Sequence, residues 1–358
     1  MIFGKKQLTD EVCRQIQQEI GQFYAIPPSC VGGWLSAKNN KLSIEIPFAA
    51  SSQLPSLQSE LQQWLHHQSL DKIELAFSQS IMPLPTNNPP IPCIKNVLAV
   101  ASGKGGVGKS TSAVNLAYAL IQEGATVGIL DADIYGPSIP IMLGNPNAQP
   151  DSDDGRHMQP LQSHGLVANS IGYLVPAEDA AIWRGPMASK ALQQLLMETA
   201  WPALDYLIVD MPPGTGDIQL TLSKSVPVSG AVIVTTPQDI ALADALKGIT
   251  MFNKVDVPVL GIIENMSYYQ CRQCGHKEML FASEGGVKLA KDHQVELLGQ
   301  LPLDIVIREH ADKGEPLLIS EPDSPLSASY RAAARNMSKQ LYLQSLKPGQ
   351  KISVTNLS

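Results

Sequence analysis

Residues 103–110 read Gly-Lys-Gly-Gly-Val-Gly-Lys-Ser, the pattern of a phosphate-binding loop. Its glycines let backbone N–H groups turn inward around phosphate oxygens, and a helix that starts at the loop attracts anions through its N-terminus. An apolar run at 97–100 and a helix-forming segment at 111–121 flank the loop as the pattern requires. We expect Lys109 to bind the β- and γ-phosphates and the Ser110 hydroxyl to coordinate Mg²⁺. The predicted nucleotide-binding residues are Gly103, Lys104, Gly105, Gly106, Val107, Gly108, Lys109, Ser110 and Thr111.

Three aspartates follow apolar runs that are typical of buried strands. Asp131 and Asp133 come after the run at 127–130, and Asp210 comes after the run at 206–209. Hydrolysis of a nucleotide requires a carboxylate in the Mg²⁺ shell and a group that orients water. Asp131 or Asp133 could instead cap the helix that follows it.

A second chemical feature is the pair Cys271-Arg272-Gln273-Cys274, with His276 nearby. A zinc site requires four ligands, and a thioredoxin-like pair should open a helix. An iron–sulfur cluster usually requires four thiolates, which two copies of this chain would supply around a two-fold axis. These three interpretations remain open on spacing alone. Whichever holds, we expect Arg272 and Lys277 to lower the pKa of the thiols.

The strands that position these groups share one property: they are continuous apolar runs separated by helical segments. That pattern predicts an α/β fold with a mostly parallel sheet covered by helices on both faces. Ligands bind at the carboxyl ends of the strands in such sheets. The runs lie at 97–100, 127–130, 206–209, 231–234 and 259–263.

The domain boundary is predicted at a proline-rich linker, 81–94. Residues 1–80 alternate helical and strand periods and predict a small α/β domain. Residues 95–345 form the predicted nucleotide-binding domain, and 346–358 form a polar tail. Among five sparse cysteines, we expect Cys13 and Cys30 to be packed or surface thiols.

The composition excludes several classes of protein. With 358 residues, 44% of them hydrophobic, the chain is long and apolar enough to fold into two domains. A net charge of −7 argues against a protein held on nucleic acid by bulk charge. The N-terminal segment lacks the apolar stretch of a secretory signal, and no run is long enough to span a bilayer. We therefore expect a cytoplasmic protein that binds neither nucleic acid nor membrane.

The loop sequence KGGVGKST resembles the deviant phosphate loop of the ParA/MinD/nitrogenase-iron-protein group of P-loop ATPases. In that group the early lysine, here Lys104, crosses a dimer interface to the partner's nucleotide. The resemblance implies that Asp133 orients water and that Asp210 belongs to the magnesium shell. We expect Asp131 to belong to the magnesium shell as well. It also implies that the turn 214–216 senses the γ-phosphate.

Further motifs are similar to those of the Mrp/ApbC family of ATP-binding iron–sulfur cluster carriers. The match covers about 95–340 and includes the cysteine pair, the segments 183–187, 210–217 and 236–239, and the segment 261–267 that contains Asn265. It implies that Asn265 recognises adenine and that Cys271 and Cys274 bridge a cluster, compatible with [4Fe–4S], across a homodimer. It further implies slow ATP hydrolysis, transfer of clusters to apo-proteins and contact with the assembly machinery.

The N-terminal domain is similar to the small iron–sulfur-assembly domain often fused to these ATPases. That domain commonly carries a cysteine after its strand, whereas the equivalent stretch here, 49–55, has none. We interpret residues 1–80 as a degenerate docking or packing module.

Two other functions compete with the cluster carrier. A positioning ATPase of the MinD/ParA kind would need a membrane helix or a basic DNA-binding face. The C-terminal segment is rich in basic residues, but its narrow apolar stripe predicts packing on the sheet; the stripe is Tyr330, Ala334, Met337 and Leu341. A zinc- or disulfide-regulated ATPase is the third candidate.

Overall fold

The computed structural model describes residues 9–86, 88–174, 185–281 and 284–347. Trp183 and Arg184 of the motif at 183–187, and residues 348–358 of the predicted tail, lie outside the described residues.

Among the described residues, the large sheet contains eight strands: β4 (Ile94–Ala101), β5 (Val127–Asp131), β6 (Leu161–Ser163), β7 (Leu166–Ser170), β8 (Leu204–Asp210), β9 (Val228–Thr235), β10 (Val259–Glu264) and β13 (Leu297–Gln300). Their order across the sheet is β13-β10-β9-β4-β8-β5-β7-β6. Neighbouring strands are parallel except β6 and β7, which confirms the predicted mostly parallel sheet. All five apolar runs form strands.

Helices cover both faces of this sheet, as predicted. The helices of one face are α3 (Lys109–Gln122), α4 (Ile139–Met142), α9 (Ile305–Lys313), α10 (Leu317–Ser320) and α11 (Pro325–Ser345). Those of the other face are α5 (Gly185–Met197), α6 (Asp217–Ser225), α7 (Asp239–Lys254) and α8 (Gly285–Asp292). The apolar stripe of α11 is buried in the first face, as its spacing predicted.

In the part of the chain that the structure describes, the N-terminal unit is a three-stranded sheet with two α-helices. Its elements are α1 (Asp10–Tyr24), β1 (Leu35–Lys38), β2 (Lys41–Ile46), α2 (Leu54–His67) and β3 (Glu74–Gln79). The sequence did not predict β1, an edge strand that is mostly exposed and so shows no apolar alternation.

The N-terminal unit packs on the large unit through α11 and the end of α3. Trp34 donates its indole N–H to the Tyr342 hydroxyl at 2.8 Å. The Glu123 carboxylate, just past α3 and fully buried, accepts from the Ser52 hydroxyl and from Arg335, both at 2.7 Å. The residues that replace the expected cysteine loop are thus held at the end of the helix that begins at the phosphate loop.

The proline-rich segment lies against the large unit. The buried Asn96 side chain accepts from the Leu84 N–H at 2.9 Å and donates to the Met82 carbonyl at 3.0 Å. Asn88 donates its side-chain N–H to the Lys224 and Val226 carbonyls. The segment is therefore fixed at the edge of the sheet opposite the phosphate loop.

A further pair of short strands, β11 (Tyr269–Gln270) and β12 (Lys277–Glu278), forms a hairpin after β10.

Within the described part of the chain, none of the helices has the length and apolar character needed to cross a membrane.

Candidate nucleotide site and cysteine hairpin

The phosphate loop leaves the central strand β4 and leads into α3, whose first residue is Lys109. Gly106 and Gly108 adopt the left-handed conformation, with φ of 80° and 82°, which glycine adopts without steric cost. Gly103 lies so close to α7 that an added Cβ would sit 2.2 Å from the backbone of Asp244. The glycines are therefore required by backbone conformation and by close approach.

Lys109 and Asp210 form a buried ion pair at the carboxyl end of the sheet. The Lys109 Nζ lies 2.7 Å from the Asp210 Oδ1, and their side chains are 6% and 0% exposed. Lys109 also donates to the Ser110 hydroxyl at 3.2 Å. The other oxygen of Asp210, Oδ2, is buried and has no hydrogen-bond partner among the described residues.

Asp131 lies directly opposite Asp210 on the neighbouring parallel strand. It accepts from the Asp133 N–H at 3.1 Å, the Ile139 N–H at 3.2 Å and the Ser170 hydroxyl at 3.0 Å. Burial, followed by the nearby charge of Asp210, raises the pKa of Asp131 to about 7. Two carboxylates share one edge of the sheet because the strand register places them side by side.

Asp133 is the third acid at this edge. Burial raises the pKa of Asp133, and Lys109 opposes that rise. Its Oδ1 is buried with no partner in the described part of the chain. A partly buried carboxylate with a raised pKa and a free oxygen can accept a proton from water.

This donor set fits a magnesium ion. Mg²⁺ prefers oxygen ligands, and the Ser110 hydroxyl with the two facing aspartates, Asp131 and Asp210, supplies them. Among the described residues, the buried Asp210 Oδ2 has no hydrogen-bond partner and is available to bind the ion. A buried carboxylate oxygen normally has a hydrogen bond or a cation.

Lys104 and the turn at 214–216 flank the loop. The Lys104 Nζ is 3.5 Å from the Gln238 Oε1 at the start of α7, at a partly exposed position. Gly214, with φ of 99°, donates its N–H to the Ser102 carbonyl at 2.9 Å. The Lys104 side chain thus contacts Gln238, whereas Lys109 is buried against Asp210.

Asn265 contacts the phosphate loop itself. Its Nδ2 donates to the Val107 carbonyl at 2.9 Å, and the residue is 7% exposed. A Cβ added to Gly108 would lie 2.2 Å from that nitrogen. Asn265, which we expect to recognise adenine, ties the segment that follows β10 to the phosphate loop.

The cysteine pair lies in the turn of the β11–β12 hairpin, six residues beyond Asn265. The Cys271 N–H donates to the His276 carbonyl at 2.9 Å, and the Gly275 N–H donates to the Cys271 carbonyl at 2.8 Å. Cys274 is exposed and Cys271 is half-buried. Among the residues that the structure describes, no three His, Cys, Asp or Glu side chains are grouped to hold a metal ion.

The pKa of the Cys271 thiol is lowered, but the expected cause is wrong. The backbone N–H groups of Cys274 and Gln273, then the Cys274 thiol, donate to the Cys271 sulfur and lower its pKa. Arg272 instead pairs with Asp304, and the Lys277 Nζ lies 4.6 Å from the centre of the Tyr268 ring. The tight turn aims backbone dipoles at the sulfur, whereas the two cations have other partners.

Sequence reasoning missed two residues at these sites, Ser170 and Asp304. Ser170 is the last residue of the short strand β7, whose polar residues interrupt the apolar pattern typical of a strand. Ser170 reaches Asp131 only because β7 pairs with β5. Asp304 precedes α9 as an ordinary cap, and only the fold shows that it meets Arg272.

The family model described as the NUBPL iron-transfer P-loop NTPase, of the ParA group, matches residues 93–338. The chain belongs to this family. It is 64% identical over 258 residues to the iron-sulfur cluster carrier protein of Escherichia coli K12, covering 72% of this chain and 70% of that protein. It is 48% identical over 249 residues to the iron-sulfur cluster transfer protein NUBPL of Dictyostelium discoideum, covering 69% and 77%. The resemblance to cluster carriers is thereby confirmed.

Solved structures confirm the fold class. A nucleotide-binding protein of Archaeoglobus fulgidus in complex with ADP is similar with a TM-score of 0.58 and 36% identity, covering 66% of this chain and 91% of that one. The cell division ATPase MinD of Pyrococcus furiosus has a TM-score of 0.50 and 22% identity, covering 68% and 98%. The second likeness shows the fold alone. The chain is a P-loop NTPase of the iron-transfer family.

Proposed function

We propose that this protein binds iron–sulfur clusters and transfers them to apo-proteins, with slow ATP hydrolysis. The observation that carries the proposal is the hairpin with the half-buried Cys271 and the exposed Cys274. The hairpin follows β10 and the adjoining Asn265, which donates to the phosphate loop. Thiols at the surface can exchange a cluster with another protein, and a thiol with a lowered pKa is more readily a thiolate ligand. The names of the relatives support the same activity.

The cluster is cargo, and we propose that two chains share it. One hairpin supplies two thiols, whereas a cluster such as [4Fe–4S] is usually held by four. A two-fold axis through the cluster brings the same pair from a second chain and predicts half a cluster per chain. In a homodimer Lys104, whose side chain contacts Gln238 and is partly exposed, would act on the nucleotide of the partner chain. The recipients would be apo iron–sulfur proteins, and the donors the assembly machinery.

In the ATPase reaction, Lys109 would bind the β- and γ-phosphates and leave Asp210 for the metal. Ser110, Asp131 and Asp210 would hold Mg²⁺, which neutralises charge on the phosphates when bound. Asp133 would orient the attacking water, and Lys104 would stabilise the transferring phosphoryl group from the partner chain, as an arginine finger does.

We propose that the N-terminal unit is a packing module. Ala49 and Ala50 are fully buried, and the exposed Ser52 is hydrogen-bonded to the buried Glu123. These contacts secure the end of α3.

The test uses anaerobic reconstitution of the full chain with iron and sulfide. Cys271→Ser and Cys274→Ser should each remove the visible absorbance of the cluster, while ATP affinity stays unchanged because the phosphate loop is separate. Cys93→Ser is the matched control, since Cys93 is an exposed thiol just before β4, at the opposite end of the sheet. Wild type should contain about half a cluster per chain.

Two results would contradict the proposal. A cysteine variant that retains the cluster would remove the hairpin from cluster binding. Stoichiometric zinc that resists replacement by iron would favour the zinc-regulated ATPase.

A further inference from the structure

The cysteine hairpin, residues 269–278, is joined to the body of the protein at its base and at its turn. At the base, the Leu303 N–H donates to the Tyr268 carbonyl at 2.8 Å. At the turn, Arg272 stands between the two cysteines and its guanidinium pairs with the Asp304 carboxylate. The Arg272–Asp304 ion pair, which starts between the two cysteines, thus helps to orient the two thiols relative to the body of the protein.

Asp304 is the fixed member of this pair. It is the N-cap of α9, where its Oδ1 accepts from the Val306 N–H at 2.9 Å. Its side chain is 16% exposed, against 56% for Arg272. Because the cap already fixes its rotamer, Asp304 offers a pre-positioned carboxylate to which the hairpin can attach.

The other end of α9 contacts the segment that leaves the nucleotide edge. Beyond α9, the Gly314 backbone packs against Gly144, where an added Cβ would lie 2.7 Å from the Gly314 oxygen. Gly144 follows α4, and the first residue of α4, Ile139, donates its N–H to Asp131. A series of direct contacts therefore runs from Asp131 through α4 and α9 to Asp304 and the hairpin.

We propose that Arg272 and Asp304 form a positioning pair that holds the cysteine hairpin in its cluster-retaining orientation and lets α9 convey the state of the nucleotide site to it. The proposal rests on the proposed cluster-carrier function and adds to it how release is controlled. Neither residue is a cluster ligand. When α9 shifts relative to the sheet, Asp304 moves with it and the hairpin follows through Arg272.

The experiment measures cluster release from the reconstituted dimer to an iron chelator, with and without ATP and Mg²⁺. Arg272→Gln removes the charge from the hairpin, and Asp304→Asn removes the charge from α9 while keeping a side-chain oxygen for the cap. Both variants should load the cluster, release it about two- to fivefold faster without nucleotide, and lose the change that ATP causes in wild type. The visible circular dichroism of the cluster should change alike in both variants, which a loss of global stability would not produce.

Three further variants sharpen the test. Arg308→Gln removes an exposed arginine of α9 that pairs with Asp312, and it should behave as wild type. Arg272→Lys keeps the charge and should restore part of the slow release. The double variant Arg272→Gln/Asp304→Asn should release no faster than either single variant, because both remove one contact.

Wild-type release rates in Arg272→Gln would overturn the positioning pair. Loss of cluster binding in Arg272→Gln with binding retained in Asp304→Asn would make Arg272 a binding residue and would overturn it too. Equal release with and without ATP in wild type would overturn the link through α9. Failure of the cluster-carrier function itself would be recognised separately, by a cluster that survives Cys271→Ser.

Discussion

At the nucleotide edge of the sheet the charged groups are buried and face one another, whereas in the cysteine hairpin they lie at the surface. Lys109 and Asp210 are 6% and 0% exposed, and Asp131 is held by three hydrogen bonds. Cys274 is exposed, and Arg272 is 56% exposed. Burial strengthens electrostatic interactions and suits the charged transition state of phosphoryl transfer. Exposure makes thiols accessible and suits a cargo that must leave.

The largest effect is expected for Lys104, which lies between these extremes. Lys104→Ala should lower ATP hydrolysis about a thousandfold, as loss of a charge-stabilising finger does, while ATP affinity changes about threefold or less. Steady-state hydrolysis and calorimetric titration measure the two. Lys247→Ala, which removes an exposed lysine of α7, is the control. Equal losses of ATP affinity and turnover would mean that Lys104 acts on the nucleotide of its own chain, together with the buried Lys109 and Asp210.

Lys109→Ala should weaken ATP binding by at least about a hundredfold, because the phosphates lose a buried cation and Asp210 loses its partner. Cluster content should stay at the wild-type value, since the hairpin is separate. The control is Lys95→Ala, which breaks the ion pair with Asp205 at the other end of β4. ATP affinity equal to wild type would exclude Lys109 from phosphate binding.

Asp131 predicts how stability depends on pH. Its pKa is raised from 3.8 to about 7 in the folded protein. A group whose pKa is raised by folding contributes its full stability below its pKa in the unfolded protein. That stability is lost as the pH rises through its pKa in the folded protein. In the absence of Mg²⁺, the free energy of unfolding of wild type should fall by on the order of 2 kcal/mol between pH 5 and pH 8, relative to that of Asp131→Asn. Urea unfolding at both pH values measures this. A stability difference that is independent of pH would contradict a buried, protonated Asp131.

Asn265 links the two regions, and its substitution should have the smallest effect. Asn265→Ala removes the hydrogen bond to Val107 and should weaken binding of both ATP and inorganic triphosphate about fivefold. Asn336→Ala is the matched control, because Asn336 makes a bond of the same length to the Leu298 carbonyl. If only ATP binding weakens, Asn265 recognises adenine without supporting the loop.

Residues close together in the sequence largely determined which chemistry this protein carries. The phosphate loop, the strand-end aspartates and the cysteine pair are local patterns, because a turn around phosphate or a shared metal depends on neighbouring residues. The apolar runs predicted the parallel sheet and hence the edge at which Asp131 and Asp210 meet. The short strands β1, β6, β7 and β13 were not predicted, because brief or mostly exposed segments carry little apolar periodicity.

The tertiary structure decided how those groups are paired and how far they are buried. Lys109 and Asp210 are 101 residues apart, and Arg272 and Asp304 are 32 apart. Neither contact can therefore be predicted from a local sequence pattern. The same holds for Glu123, whose partners come from the N-terminal unit and from α11. The pKa of Cys271 depends on the hairpin turn, and the pKa of Asp131 on burial opposite Asp210. Electrostatics depends on distance and solvent in three dimensions, and only the fold sets both.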